Sequence, residues 1–298
     1  MLRRIVGTHP GALTGMALAA CGYSMFAIQD AVVKWLVASY AVPEILFIRS
    51  VAIAAVAAIF VYRQRQPSIL KSPNRRTLFL RTFLVLGAWL LYYSATRHLA
   101  LAQLTTLYFS APLIVVFLSI VILKEKVTKM RWMAAIIGLL GVVIAANPAR
   151  LPELFPAATA VVAAFCWAWS VILVRLVSRT ESTVSQMMAT SLVFAIACAT
   201  MMPWFWTTPD VAGWALLALL SVVGMVGQFL VYEGFRYAPA SSIAPIEYSG
   251  LIWAVLFGFT IWGEVPTENV YIGALLIVGS SLGLIFWERR TTKSAVTD

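Results

Sequence analysis

Apolar residues in this chain come in near-continuous runs of about twenty, separated by short polar connectors, rather than alternating or recurring along one helix face. A bilayer core about 30 Å thick is crossed by roughly 20 apolar residues in helical form. On that measure the pattern predicts ten transmembrane helices: 12–38, 43–62, 77–97, 101–123, 130–147, 155–177, 183–204, 211–236, 240–263 and 269–288. Several connectors carry Pro or Asn-Pro and all are short, so no soluble domain is expected between the spans.

Composition turns the pattern into a class. Apolar residues make up 61% of the chain and charged residues 11%, against about 25% charged in a soluble domain. Too little polar surface remains to cover a water-facing globule. The net charge of +10 could suggest a nucleic-acid partner, but the basic residues form no continuous face that would track a phosphate backbone. They gather in alternate connectors instead. With the N-terminus placed in the cytoplasm, all of the 22 basic residues except Lys34, Arg49, Arg97 and Arg150 fall on the inner side. The positive-inside rule then puts both termini in the cytoplasm. The expected location is the cell inner membrane, with the lipid bilayer as the surrounding partner. Cys21, Cys166 and Cys198 lie inside apolar runs without disulfide or zinc spacing, and read as free thiols. "MLRR" followed by "LAAC", Leu18 to Cys21, resembles a lipoprotein signal peptide, but the apolar run continues to about Leu36, longer than a signal h-region of about 7–15 residues.

Offsetting the sequence against itself by 139 residues aligns "YYSATRHLA" with "VYEGFRYAP". Tyr93 meets Tyr232, Arg97 meets Arg236, Ser110 meets Ser249, Glu125 meets Glu264, and Thr128 meets Thr267. An odd number of helices per copy makes the second copy enter the membrane from the opposite side. The fold class expected is therefore all-α, with ten transmembrane helices as two inverted five-helix repeats. Residues 1–148 form the first, 149–288 the second, and 289–298 a cytoplasmic tail. Inverted repeats suit alternating access, because exchanging the conformations of the halves exchanges the open side.

Each fourth helix ends in Glu before a short turn, "SIVILKEKVT" and "GFTIWGEVPT". With the two five-helix repeats, these resemble the EamA family of the drug/metabolite transporter superfamily over nearly the whole chain. In that family a proline often sits midway along the fourth helix of a repeat. Pro112 fits; the matching position in the second half is Leu251, with Pro245 nearest. Within the family the chain is similar to bacterial exporters of amino acids, notably aromatic ones, and of amphiphilic drugs. The resemblance implies a central cavity lined by helices 1, 3, 4, 6, 8 and 9.

Polar residues inside the spans single out candidate positions, because charge in a lipid-facing helix costs about 2.5–3.5 kcal/mol on insertion scales. Asp30 and Lys34 share one face of helix 1, and Arg49 on helix 2 offers Asp30 a second partner. These three are expected to form a structural ion pair or an outer gate. Gln228, Tyr232 and Glu233 on helix 8 and Glu247 on helix 9 are expected to contact a substrate, with a proton, a basic side chain or each other as further partners for the two glutamates. Pro245 removes a helix hydrogen bond just before Glu247, and Pro112 does the same beside Tyr108. Trp89, Tyr93, Tyr108 and Trp167 would wall the site for rings or cations, whereas Tyr62, Trp204, Trp206 and Trp287 read as interfacial anchors.

No catalysis and no cofactor are expected. "GSSLG", Gly279 to Gly283, matches a nucleophile-elbow pattern, but His9 and His98 lie at other depths. The glycines read instead as a small-residue packing stripe. No metal-ligand or nucleotide-loop motif occurs. The expected function is export of small organic metabolites, aromatic or bulky apolar amino acids and amphiphilic compounds, by a chain for which a monomer suffices. The alternatives are a non-transporting scaffold, a channel, or a transporter of nucleobases, vitamins or sugar-like solutes.

Overall fold

A computed structural model describes residues 11–64, 72–95, 107–146, 154–178, 180–263 and 268–297. Among them there is no strand. The helices are α1 (Ala12–Leu36), α2 (Val42–Arg63), α3 (Arg75–Ala95), α4 (Ala111–Val121), α5 (Lys129–Ala146), α6 (Leu154–Val177), α7 (Thr183–Ala199), the single turn α8 (Met202–Phe205), α9 (Val211–Tyr237), α10 (Ala240–Glu247), α11 (Gly250–Trp262) and α12 (Glu268–Thr297). Five of them, at Ala12–Leu36, Val42–Arg63, Arg75–Ala95, Phe155–Val177 and Val211–Tyr237, are long and apolar enough to cross a membrane. Shorter apolar helices accompany them at Ala111–Val121, Thr183–Ala199 and Tyr271–Trp287.

The bundle is apolar outside as well as inside. Phe83, Phe117, Phe155, Ile196, Leu275 and Phe286 all face outward, as does Tyr62 at an end of α2. Gln29, Arg49, Arg81, Gln186, Gln228 and Glu247 are buried within. Lipid can solvate the first set and cannot solvate the second. Trp204 within the short α8 and Trp206 at its end lie exposed, as interfacial anchors would.

Packing pairs helices across the two halves. α1 lies along α9, α3 along α6, α2 along α7, α5 along α12, and α4 against α10. Under the 139-residue offset α1 corresponds to α6 and α3 to α9, so the α1–α9 and α3–α6 pairs exchange, while α2–α7 and α5–α12 map onto themselves. The α1–α9 contact is close and antiparallel. A Cβ added to Gly15 would sit 2.7 Å from the Ala238 backbone nitrogen and 2.8 Å from the Gly234 carbonyl oxygen. One added to Gly22 would sit 2.9 Å from the Val231 nitrogen and 3.0 Å from the Gly227 carbonyl oxygen. Small residues let helix backbones approach in this way. Gly279 does not take part in such a stripe: nothing lies within 4 Å of its would-be Cβ, and Gly283 meets only the tip of Met130 at 3.7 Å.

Among the described residues, turns break the helix at matching positions of the two halves. Phe109 and Ser110 form a turn before α4, and Tyr248 and Ser249 form one between α10 and α11. Ser110 and Ser249 keep right-handed dihedrals, and their N–H groups donate three residues back, to Leu107 and Ile246 carbonyls at 3.3 and 3.0 Å. These are tightened 3₁₀ turns, which mark functional hinges more often than plain helix does. The second falls after Glu247, not before it, and Pro112 opens α4 in its first turn, where a missing N–H is harmless. The residues predicted as a tail, 289–298, continue α12 as far as Thr297.

The two ends of the bundle are tied differently. At the end bearing the basic connectors, the Glu125 carboxylate accepts from the Ala240 and Ser241 N–H groups at 3.1 and 3.3 Å and from the Ser241 hydroxyl at 2.8 Å. Arg175 Nε stands 3.9 Å from Glu125, and its Nη1 donates to the Phe235 and Arg236 carbonyls. At the opposite end Asp210 caps α9 through the Gly213 N–H at 2.7 Å and accepts from the Tyr40 hydroxyl at 3.1 Å. There the Thr207 N–H donates to Glu44 at 3.2 Å.

Candidate binding cavity

A cavity of about 130 Å3 lies between the halves. That approaches the roughly 150 Å3 of an engineered cavity that takes a benzene ring. α1 contributes Tyr23, Phe26, Ala27, Gln29, Asp30, Ala31 and Lys34; α3 contributes Trp89, Tyr92 and Tyr93. Tyr108 and Phe109 enter at the first interruption, Trp167 from α6, Glu247 from the last residue of α10, and Gly250 and Phe257 from α11. The cavity therefore lies where these two turns fall.

Its rings pack edge to face: Trp89 against Tyr93 at 5.7 Å and against Phe26 at 6.4 Å, and Tyr92 tilted on Tyr108 at 4.7 Å. Such pairs hold the wall in shape while leaving ring faces available. Across from them, Trp167 Nε1–H donates to Glu247 Oε1 at 2.6 Å. Glu247 is 5% exposed, and its Oε2 has no hydrogen-bond partner among the described residues. Tyr23 lies beside the same carboxylate. Asp30 is hydrogen-bonded by Tyr93 and Gln29 and lies within electrostatic reach of Arg49.

A second, smaller space of about 10 Å3 adjoins the cavity and shares Phe26, Trp89 and Trp167 with it. Arg49, Ser50, Val85, Thr190, Ser191, Phe194, Gln228 and Tyr232 complete its walls. The Arg49 guanidinium lies 4.5 Å from the Trp89 ring centre, and Gln228 Nε2–H donates to the Tyr232 hydroxyl at 3.0 Å.

Of the sequence-predicted residues, Trp89, Tyr93, Tyr108, Trp167, Glu247, Asp30 and Lys34 thus meet in the main cavity, and Arg49, Gln228 and Tyr232 in the adjoining space. Glu233 lines neither. It sits at the basic end, where it accepts from Arg236 at 3.2 Å, Tyr237 at 3.0 Å and the Thr183 hydroxyl. Its spacing of three from Arg236 was the signal for a local ion pair. Sequence reasoning missed Tyr23, Phe26 and Gln29, although Tyr23, Phe26, Asp30 and Lys34 recur along one helical face. Arg81, counted above among connector charges, is fully buried on α3. Its Nη2–H donates to the Gln186 carbonyl at 3.0 Å and to Thr190, and its guanidinium lies 4.8 Å from the Tyr232 ring centre. Arg97 and Glu264 of the repeat alignment, and His98, lie outside the described residues.

The halves are alike in frame and different in chemistry. At matching positions Trp89 faces Gln228, and Tyr108 faces Glu247, across the same cavity system. α3 and the first interruption supply rings; α9 and α10 supply an amide and a carboxylate.

A lipid-facing helical bundle enclosing a ring-walled cavity with ionisable groups at its centre defines a membrane transport protein for small solutes. The sequence profile of the EamA-like transporter family matches twice, over residues 13–147 and 154–286, and the chain belongs to that family. It is accordingly a multi-pass protein of the cell inner membrane. It is 28% identical to an S-adenosylmethionine uptake transporter of Rickettsia bellii, over 71% of this chain and 75% of that one. It is 25% identical to the pseudopaline exporter CntI of Pseudomonas aeruginosa, over 91% and 95%, and 28% identical to a riboflavin transporter of Vibrio cholerae, over 72% of each. One solved crystal structure superposes with a TM-score of 0.73 at 18% identity, covering 94% of this chain and 98% of that one, which bears on the fold alone. Uptake and export are both represented, with unlike solutes. The family supplies transport, and the solute has to be read from the cavity.

Proposed function

We propose that this chain is an alternating-access transporter that exports small organic metabolites, amino acids with aromatic or bulky apolar side chains in the first place, along with amphiphilic compounds of similar shape. In this reading residues 1–148 and 149–288 are inverted five-helix repeats, ten transmembrane helices in all, with both termini in the cytoplasm. The observation that carries it is Glu247: a buried carboxylate with one oxygen on Trp167 and the other unpartnered, set in a cavity of rings. That oxygen suits a substrate ammonium, and the rings suit an apolar side chain. Nothing in the cavity favours a catalytic step over binding.

Counterflow into vesicles reconstituted with the purified chain tests it. Phenylalanine, tryptophan and leucine are compared with riboflavin and S-adenosylmethionine, the last two because relatives carry them. Accumulation of the three amino acids supports the reading. Accumulation of riboflavin or S-adenosylmethionine alone replaces it with a different solute class.

A further inference from the structure

The small space beside the main cavity is built around donors that no group among the described residues satisfies. Arg49 is 4% exposed, and its Nε and Nη2 carry no hydrogen-bond partner; neither does the buried Ser50 hydroxyl. Behind the wall stands Arg81, which reaches Thr190 and Tyr232 and whose Nε and Nη1 are likewise unpartnered. Asp30, the acid within electrostatic reach of Arg49, already accepts from Tyr93 and Gln29. Arg49 thus stands near one carboxylate that is engaged elsewhere, and Arg81 adds a second buried guanidinium behind the wall.

An ionic donor left unsatisfied inside a membrane protein is unfavourable. A guanidinium stacked on a ring uses its face and keeps its edge, the planar fork that fits a carboxylate. The Arg49 guanidinium carbon lies over Trp89, 4.5 Å from its ring centre, and Trp89 is a wall of both spaces. In this conformation the smaller space measures about 10 Å3, room for about one water. A flat carboxylate needs a smaller widening than a tetrahedral phosphate does.

We propose that Arg49, with Ser50 and Gln228 beside it, forms a carboxylate subsite continuous with the main cavity. The solute's acid group docks on the Arg49 fork while its apolar part stays against Trp89 and Trp167. The proposal rests on the transport reading above and narrows it to solutes that bear a carboxylate.

The test is calorimetric binding to the full chain in lipid nanodiscs, with 3-phenylpropionate, which keeps the carboxylate, and 2-phenylethylamine, which keeps the ammonium. In Arg49→Gln, 3-phenylpropionate is expected to bind about 10- to 100-fold more weakly, the range of a charged hydrogen bond. The amine should change by less than about twofold. Equal weakening of both, or no change for the acid, overturns the subsite. Should Arg49→Gln fail to fold, Arg49→Lys keeps the charge without the fork, and the acid must still weaken more than the amine. If neither compound binds the parent protein, the amino-acid reading fails by itself. The subsite then stands or falls on thermal unfolding in sodium formate against sodium chloride at equal ionic strength. A formate-specific rise in the parent that vanishes in the variant supports it, and no such rise overturns it.

Discussion

Glu125 follows α4 and holds the start of α10, through two backbone N–H groups and one hydroxyl. Its removal would leave those donors without their acceptor and separate the halves at the basic end. Glu125→Ala is expected to lower stability by about 1–3 kcal/mol, seen as a lower unfolding temperature in detergent. The same change should make a cysteine placed at Ala31, in the cavity, react faster with a reagent added from the basic side. An unchanged rate would mean that this cluster closes nothing. Single residues were legible in the sequence where a cost had to be explained: Asp30, Lys34 and Glu247 stood in apolar runs, and Trp89 and Trp167 stood far from an interface. Tyr23 and Phe26 blended into their run because a ring in lipid and a ring in a cavity look alike in sequence. Arg81 and Glu233 misled for one reason. A charge a few residues from a helix end can belong to the connector or to the bundle, and only packing separates the two.

At the scale of helices, the α1–α9 seam decides how closely the halves approach. Alanine normally stabilises a helix relative to glycine, by roughly 0.5–1 kcal/mol. Gly87 on α3, with nothing within 4 Å of its would-be Cβ, should follow that rule when changed to alanine. Gly15→Ala should do the opposite, by about 1–3 kcal/mol, because the new methyl meets backbone atoms of α9 at 2.7 and 2.8 Å. Thermal unfolding of the two variants side by side checks the contrast; shifts of the same sign would place the close approach elsewhere. The apolar runs made the long helices legible, with boundaries off by a few residues except at the end of α12, which runs on to Thr297. The small-residue seam was not, since Gly15 and Gly22 carry no more sequence signal than Gly279 and Gly283. What separates them is a partner helix more than two hundred residues away in the chain. The interruption at Tyr248 and Ser249 was foreshadowed by Pro245, but its place after Glu247 came from the 3₁₀ turn.

For the whole molecule, the offset that aligned the polar residues also describes which helices pair. The charge asymmetry predicts its orientation. In a background lacking Cys21, Cys166 and Cys198, a cysteine at Gln64 should be labelled by an impermeant reagent only from the cytoplasm, and one at Thr208 only from outside. Labelling of both from one side would end the inverted-repeat description. The solute was the least legible feature, because it depends on which side chains the two halves bring to one point. Trp167 and Glu247 are 80 residues apart in sequence and share a hydrogen bond of 2.6 Å. The most direct test is counterflow of labelled phenylalanine in vesicles holding equal amounts of folded parent, Trp167→Ala and Glu247→Gln protein. Both variants should transport at least about tenfold more slowly, the equivalent of about 1.4 kcal/mol, with leucine less affected than phenylalanine by the loss of the ring. Parent-rate transport of phenylalanine by both would show that the solute does not pass through this cavity.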